Sequence, residues 1–191
     1  MIDLYRTAAE IQSICLENGW KFCFIGGIAL QRWGKPRVTE DVDLTILTGF
    51  QHEERYLQVL IEHFPARIKD AFQFAAENRV LLLKSLSGIG IDIALGGLPF
   101  EESAVARASE FEYLPDVSLL TCSAEDLIVY KAFANRPSDW VDIEGVIVRQ
   151  QQALDWDYIS LQLKPLIELK EEPEIWDRLM REKANLENRQ N

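Results

Sequence analysis

Three aspartates in this chain sit where carboxylates can act together. Asp41 and Asp43 alternate with Val42, Leu44 and Ile46, the period-two pattern of a strand with one polar face. Both carboxylates therefore leave the same side, roughly 7 Å apart at ~3.3 Å per residue, while the apolar residues turn to the core. Asp92 repeats the arrangement within Ile91-Asp92-Ile93-Ala94-Leu95. Such carboxylates repel one another unless a cation is shared, and an all-oxygen set of this kind suits Mg²⁺. Two Mg²⁺ ions about 3.5–4 Å apart would activate an attacking hydroxyl and stabilise a pyrophosphate leaving group. Upstream, the apolar residues 22–25 run into Gly26-Gly27, from which a helix starts. Glycine lets a ligand approach the backbone, and the free N–H groups of a helix start attract anions, so the pair is a cradle for nucleotide phosphates. No Gly-Lys-Ser/Thr follows it, so it is not a Walker loop, and the spaced glycines of a dinucleotide fingerprint are missing.

The elements that must position these groups follow from periodicity. Leu4, Ala8, Ile11 and Cys15 recur at helical spacing with Gly19 beyond them, which predicts a helix over 3–18. A short strand over 22–25, a short helix over 28–33 ending at Gly34, and the Asp41/Asp43 strand come next. Residues 53–64 place Tyr56, Leu57, Leu60, Ile61 and Phe64 on one helical side. Residues 80–86 and 91–95 read as strands joined by Ser87-Gly88-Ile89-Gly90, a hairpin. A short helix near 101–108 and a strand near 111–113 precede a change of character. Ser123-Ala-Glu-Asp126 is a capping box opening a helix to about 134, and Pro137 starts another reaching about 152. Two polar helices, 155–169 and 173–186, complete the chain. Strand, helix, strand, helix, further strands and a helical C-terminal region make an α/β or α+β plan.

Taken together, Gly26-Gly27-Ile28-Ala29, Arg37-Val38-Thr39-Glu40-Asp41-Val42-Asp43-Leu44 and Asp92 resemble the nucleotidyltransferase superfamily of DNA polymerase beta-like folds. The Arg-x-Thr-x-Asp-x-Asp-Leu form is similar to the AbiEii/AbiGii toxin-type nucleotidyl transferases. So is the later stretch, Asp126 to Lys131 followed by Arg136-Pro-Ser-Asp139-Trp-Val-Asp142. The likeness spans about residues 20–150 and implies an α+β fold: a nucleotidyltransferase-like core over 1–120, a mixed β-sheet flanked by helices, with a C-terminal helical region over 121–191 packed on it. It implies that Asp41, Asp43 and Asp92 hold Mg²⁺, with Asp92 the third ligand or the base for the attacking hydroxyl. It also implies that Gly26, Gly27, Arg37, Thr39 and Lys131 hold the NTP. The acidic partner of Lys131 stays open between Asp126, five residues before it, and Glu125, six before it. The implied activity is Mg²⁺-dependent transfer of a nucleoside monophosphate to a tRNA or protein acceptor, in a toxin–antitoxin setting with a cognate antitoxin. Two alternatives stand beside it: a small-molecule, aminoglycoside-like acceptor, or a non-catalytic nucleotide-binding or partner-binding module.

Composition bounds these readings. The chain has 191 residues, is 48% hydrophobic and can bury a sizeable core. No apolar run approaches the ~18–20 residues of a membrane span, and no secretory signal is visible at the start. Cys15, Cys23 and Cys122 are odd in number and widely spaced, which fits buried reduced thiols and a cytoplasmic setting. The net charge of −11 divides unevenly: 10 basic against 12 acidic residues over 1–100, and 10 against 19 over 101–191. That excludes broad, salt-driven coating of nucleic acid. It does not exclude a nucleic-acid end as acceptor, because two Mg²⁺ would add four positive charges at the site.

Overall fold

The structure, a computed structural model, describes residues 1–190. It resolves into two compact units, one formed by residues 1–28 and 38–122 and the other by 29–37 and 123–191. The second therefore includes a short stretch from within the first half of the chain. No helix among the described residues is long and apolar enough to cross a membrane.

In the first unit, strands β1 (Phe22–Phe24), β2 (Asp41–Leu47), β3 (Val80–Lys84), β4 (Gly90–Gly96), β5 (Ser109–Leu114) and β6 (Val117–Thr121) form one mixed sheet, ordered β3-β4-β2-β1-β6-β5. β2 runs parallel to β4 and β1 parallel to β6, while β1–β2, β3–β4 and β5–β6 are antiparallel. One face is apolar: Val42, Leu44, Ile46, Leu81, Leu83, Ile91 and Ile93 are all fully buried. Against it lie Leu4, Ala8, Ile11 and Cys15 of helix α1 (Ile2–Glu17), Tyr56, Leu57 and Leu60 of α3 (Glu54–His63), and Ala71 and Ala75 of α4 (Ala71–Asn78). Burial of that size dominates the folding free energy of the unit. Helix α5 (Pro99–Ala106) packs on β1 and β2, and its Glu101 lies 3.5 Å from the Thr45 hydroxyl, on the Asp41/Asp43 face of β2. Helix α2 (Gly26–Trp33) begins directly after β1 and carries the chain into the second unit.

Two elements lie outside the periodicity reading. The stretch before β3 contains α4, bracketed by Asp70 and Arg79, both left-handed at φ 54°. After Pro115-Asp116 the chain turns back as β6, completing a hairpin with β5 whose Val117, Leu119 and Thr121 face inward.

The second unit is helical: α6 (Ala124–Ala134), α7 (Pro137–Gln150), a single 3₁₀ turn, α8 (Trp156–Lys170) and α9 (Glu174–Gln190). Leu127, Ile128, Ile143, Val146, Ile159, Leu163, Ile175 and Leu179 form its interior. The segment 29–37 is tied to α7 by Arg149, which donates to the carbonyls of Gln31 (3.2 Å) and Gly34 (2.8 Å), and by Gln150, which donates to that of Trp33 (2.7 Å). These side chains satisfy carbonyls that the end of α2 leaves open.

Candidate active site

Parallel pairing of β2 with β4 sets the site. Asp43 stands opposite Asp92 in the register, and Asp41 opposite Gly90. Register partners share a face, as do residues two apart on a strand, so Asp41, Asp43 and Asp92 all project from the side opposite the apolar core. The expected convergence of the three carboxylates on one face is therefore a property of the backbone.

The start of α2 closes one side of this group. Gly26 adopts φ +54°, a conformation open to glycine and strained for side-chain-bearing residues. A Cβ at Gly26 would lie 2.1 Å from Asp43 Oδ2, so the helix start and this carboxylate are in direct apposition. The Gly27 N–H donates to the same oxygen at 3.3 Å. Thr39 sits beside Gly27, and its hydroxyl donates to the Asp41 carbonyl at 3.3 Å, which fixes the entry to β2.

Arg67 is the residue that sequence reasoning missed. It follows α3 in a segment laid along the edge of β3: Ala66 bridges Leu83, and the Arg67 N–H donates to the Leu82 carbonyl at 2.9 Å. From there its guanidinium reaches over the sheet, pairs with Asp92 Oδ1 and stands 3.9 Å from Asp41 Oδ1. Gly90 leaves the space for this, since a Cβ there would meet Asp41 Oδ1 at 2.0 Å and Arg67 Nη1 at 3.0 Å. Burial pushes the Asp92 carboxyl up, and the neighbouring Asp41 charge adds to this against the lowering pull of Arg67.

Oxygen donors of this type fit a divalent cation, and the guanidinium bound to two of them shows that the face stabilises positive charge. Among the described residues no three His, Cys, Asp or Glu side chains form a ready-gathered metal centre. The reason is visible in the contacts: Asp41 and Asp92 face Arg67, whereas Asp43 turns to the helix start.

Arg37 and Lys131 belong to the second unit, where they form a different cluster. Lys131 Nζ is buried and donates to Asp142 Oδ2 at 2.6 Å and to Asp139 Oδ1 at 3.2 Å. Arg37 holds Asp142 by two hydrogen bonds of 2.9 Å, and Arg136 holds Asp139 through Nε (2.6 Å) and Nη2 (3.1 Å). Burial alone would raise both carboxyls. Hydrogen bonds from Arg37 and Lys131 hold Asp142 below the usual carboxylate range instead, and Arg136 and Lys131 do the same for Asp139. The ion pairs of Lys131 thus run to Asp139 and Asp142 on the next helix, and the two acids on its own helix have contacts of their own. Asp126 closes the N-cap with Ser123 (2.7 Å) and accepts from the Tyr158 hydroxyl (2.6 Å), and Glu125 accepts from the Asp155 N–H at 3.3 Å.

A mixed sheet with clustered carboxylates beside a glycine helix start defines a nucleotidyltransferase fold, and solved structures agree. An antigenic nucleotidyltransferase-like protein from Paracoccidioides brasiliensis superposes with a TM-score of 0.51 at 15% identity, covering 93% of this chain and 92% of its own. The antibiotic-resistance factor ANT(2″)-Ia gives 0.53 at 16% identity, covering 88% and 90%, and its complex with adenylyl-2″-tobramycin gives 0.50 at 15%, covering 88% and 96%. At such identities the likeness is one of fold. Residues 16–150 match the family described as nucleotidyl transferase AbiEii toxin, type IV toxin–antitoxin system. The chain belongs to that family and is a nucleotidyltransferase. No curated protein is significantly similar to it in sequence.

Proposed function

We propose that the protein transfers a nucleoside monophosphate from an NTP to a hydroxyl of a tRNA or protein acceptor, releasing pyrophosphate, and that a cognate antitoxin restrains it. The observation that carries this reading is the register pairing of Asp43 with Asp92, with Asp41 on the same face, beside the Gly26-Gly27 helix start. Asp41, Asp43 and Asp92 would hold Mg²⁺, which when bound neutralises charge on the triphosphate and lowers the pKa of the attacking hydroxyl. The chain's own contribution is positioning. Gly26 and Gly27 bring backbone N–H groups to the phosphates without a side chain in the way. Asp43 is aimed by its bond to Gly27, and the strand register fixes its distance from Asp92. Asp92, on the same face as Asp41 and Asp43, would be the third ligand or the base that takes the acceptor hydroxyl's proton. Arg37 and Lys131 serve less directly, because their charges are engaged by Asp139 and Asp142.

The test is label transfer from α-labelled NTPs with Mg²⁺ to bulk tRNA and to proteins, comparing the wild type with the Asp41→Asn/Asp43→Asn double variant. Transfer by the wild type that the double variant loses supports the reading; equal transfer by both refutes it. One observation favours a second acceptor class. Residues 101–191 carry nine more acidic than basic side chains, which suits a polycationic small molecule better than RNA. Label found on an aminoglycoside and not on tRNA or protein would select that reading.

A further inference from the structure

The Arg67 contacts carry an inference of their own, resting on the reading of Asp41, Asp43 and Asp92 as cation ligands. We propose that Arg67 is a built-in counter-ion of the carboxylate face, which a divalent cation must displace from Asp92 and Asp41, so that Arg67 sets how tightly the site takes metal.

The placement is structural and does not depend on a wandering surface side chain. The backbone of Arg67 is pinned by its N–H bond to Leu82, and Leu82 is the register partner of Asp92 on the adjoining strand. The side chain thus starts one strand beyond β3 and runs across it to β4 and β2. Spans of ~4.8 Å per strand put Asp92 within the combined reach of an arginine and an aspartate. Gly90 is the second half of the device. Any side chain at that register position would crowd both Asp41 Oδ1 and Arg67 Nη1. The Arg67 side chain is 30% exposed, so its charge is partly shielded from solvent by the sheet it crosses.

A planar guanidinium and a divalent cation both want the lone pairs of Asp92 and Asp41, and each excludes the other by like charge and by volume. Metal binding is then an exchange of one cation for another. The displaced arginine leaves as a mobile positive charge at the edge of a site whose substrate is a polyanion.

The experiment is a Mn²⁺ titration of the full chain by electron paramagnetic resonance, on the wild type, Arg67→Gln, Arg67→Lys and Asp92→Asn, with far-UV circular dichroism confirming each fold. Removing a cation of this exposure, paired with Asp92 and 3.9 Å from Asp41, should tighten Mn²⁺ binding by about five- to tenfold in Arg67→Gln. Arg67→Lys, which keeps the charge, should stay within about twofold of the wild type. A further arm uses Arg67→Ala with millimolar guanidinium against equal NaCl. Guanidinium should weaken Mn²⁺ binding there and leave the wild type unmoved, which a merely structural role would not produce. Mn²⁺ binding that depends on Asp92 but is equal in Arg67→Gln and wild type would overturn the proposal while leaving the metal reading standing. Absence of saturable Mn²⁺ binding in every form would overturn both.

Discussion

Alanine at position 26 separates two costs that usually arrive together. Gly26 sits at φ +54°, and holding alanine in the left-handed region costs roughly 1–2 kcal/mol. The added Cβ would also fall 2.1, 2.6 and 2.7 Å from Asp43 Oδ2, Cγ and Cβ. All three are too close, so the carboxylate cannot simply swing its oxygens aside. It must leave, and the 3.3 Å bond from Gly27 goes with it, a further loss of about 1 kcal/mol for a half-exposed pair. The sum, ~2–3 kcal/mol, corresponds to a fall in Tm of roughly 4–12 °C for a chain of this length. Gly88→Ala supplies the control. Its φ is +88°, yet a Cβ there meets nothing within 4 Å, so it pays for backbone strain alone. On the proposed role of Asp43, transfer of labelled nucleotide should drop by ~100-fold or more in Gly26→Ala, where that carboxylate is mis-aimed, and stay near wild type in Gly88→Ala. If the two variants, assayed well below their melting points, transfer label within twofold of one another, the apposition of Gly26 and Asp43 plays no part in catalysis.

The ion cluster of the second unit makes two further predictions. Asp142→Ala leaves Lys131 buried beside a single remaining carboxylate and should cost ~3–5 kcal/mol in urea unfolding; a loss under 1 kcal/mol would show the cluster to be dispensable. Acid should weaken the same cluster: Asp139 and Asp142 are held below their unfolded value of ~3.9, so their contribution is complete above that pH and is lost as pH falls through the folded values. Stability measured from pH 7 to pH 3 should therefore fall more steeply below ~pH 4 for the wild type than for Asp142→Asn, and parallel curves would contradict this.

Some of this architecture was written plainly in local pattern. β2 and β4 are legible because each aspartate alternates with residues that end fully buried, and the β3–β4 hairpin because Ser87-Gly88-Ile89-Gly90 is strong turn chemistry. Helix α4 was not, because its ends are marked by left-handed Asp70 and Arg79 where glycine is the usual signal. β6 is short, and its alternation rests on Val117 and Leu119 alone after Pro115-Asp116, too few apolar positions to mark a strand by themselves. At the site, the three carboxylates and the glycine start are local features, and the sheet merely brings them side by side. Arg67 is different in kind, since nothing about an arginine after Pro65-Ala66 marks it until the segment is laid along β3. For Lys131 the acids that precede it most closely in sequence, Asp126 and Glu125, lie on its own helix. Five residues turn a helix by about 500°, so Asp126 points some 140° away from Lys131. Its true partners lie 8 and 11 residues ahead, on the next helix.

The division of the chain into units has a consequence for inheritance. The polypeptide leaves the first unit after residue 28, returns at 38 and leaves again after 122. Neither unit is a contiguous cassette, so no single crossover in a gene can exchange one for a counterpart from elsewhere. A recombinant joined at 122/123 would combine the new helices with the old residues 29–37, including Arg37, whose two bonds to Asp142 the incoming α7 would have to reproduce. Exchange of either the helical portion or the carboxylate-bearing sheet as a whole therefore needs more than one junction in the gene.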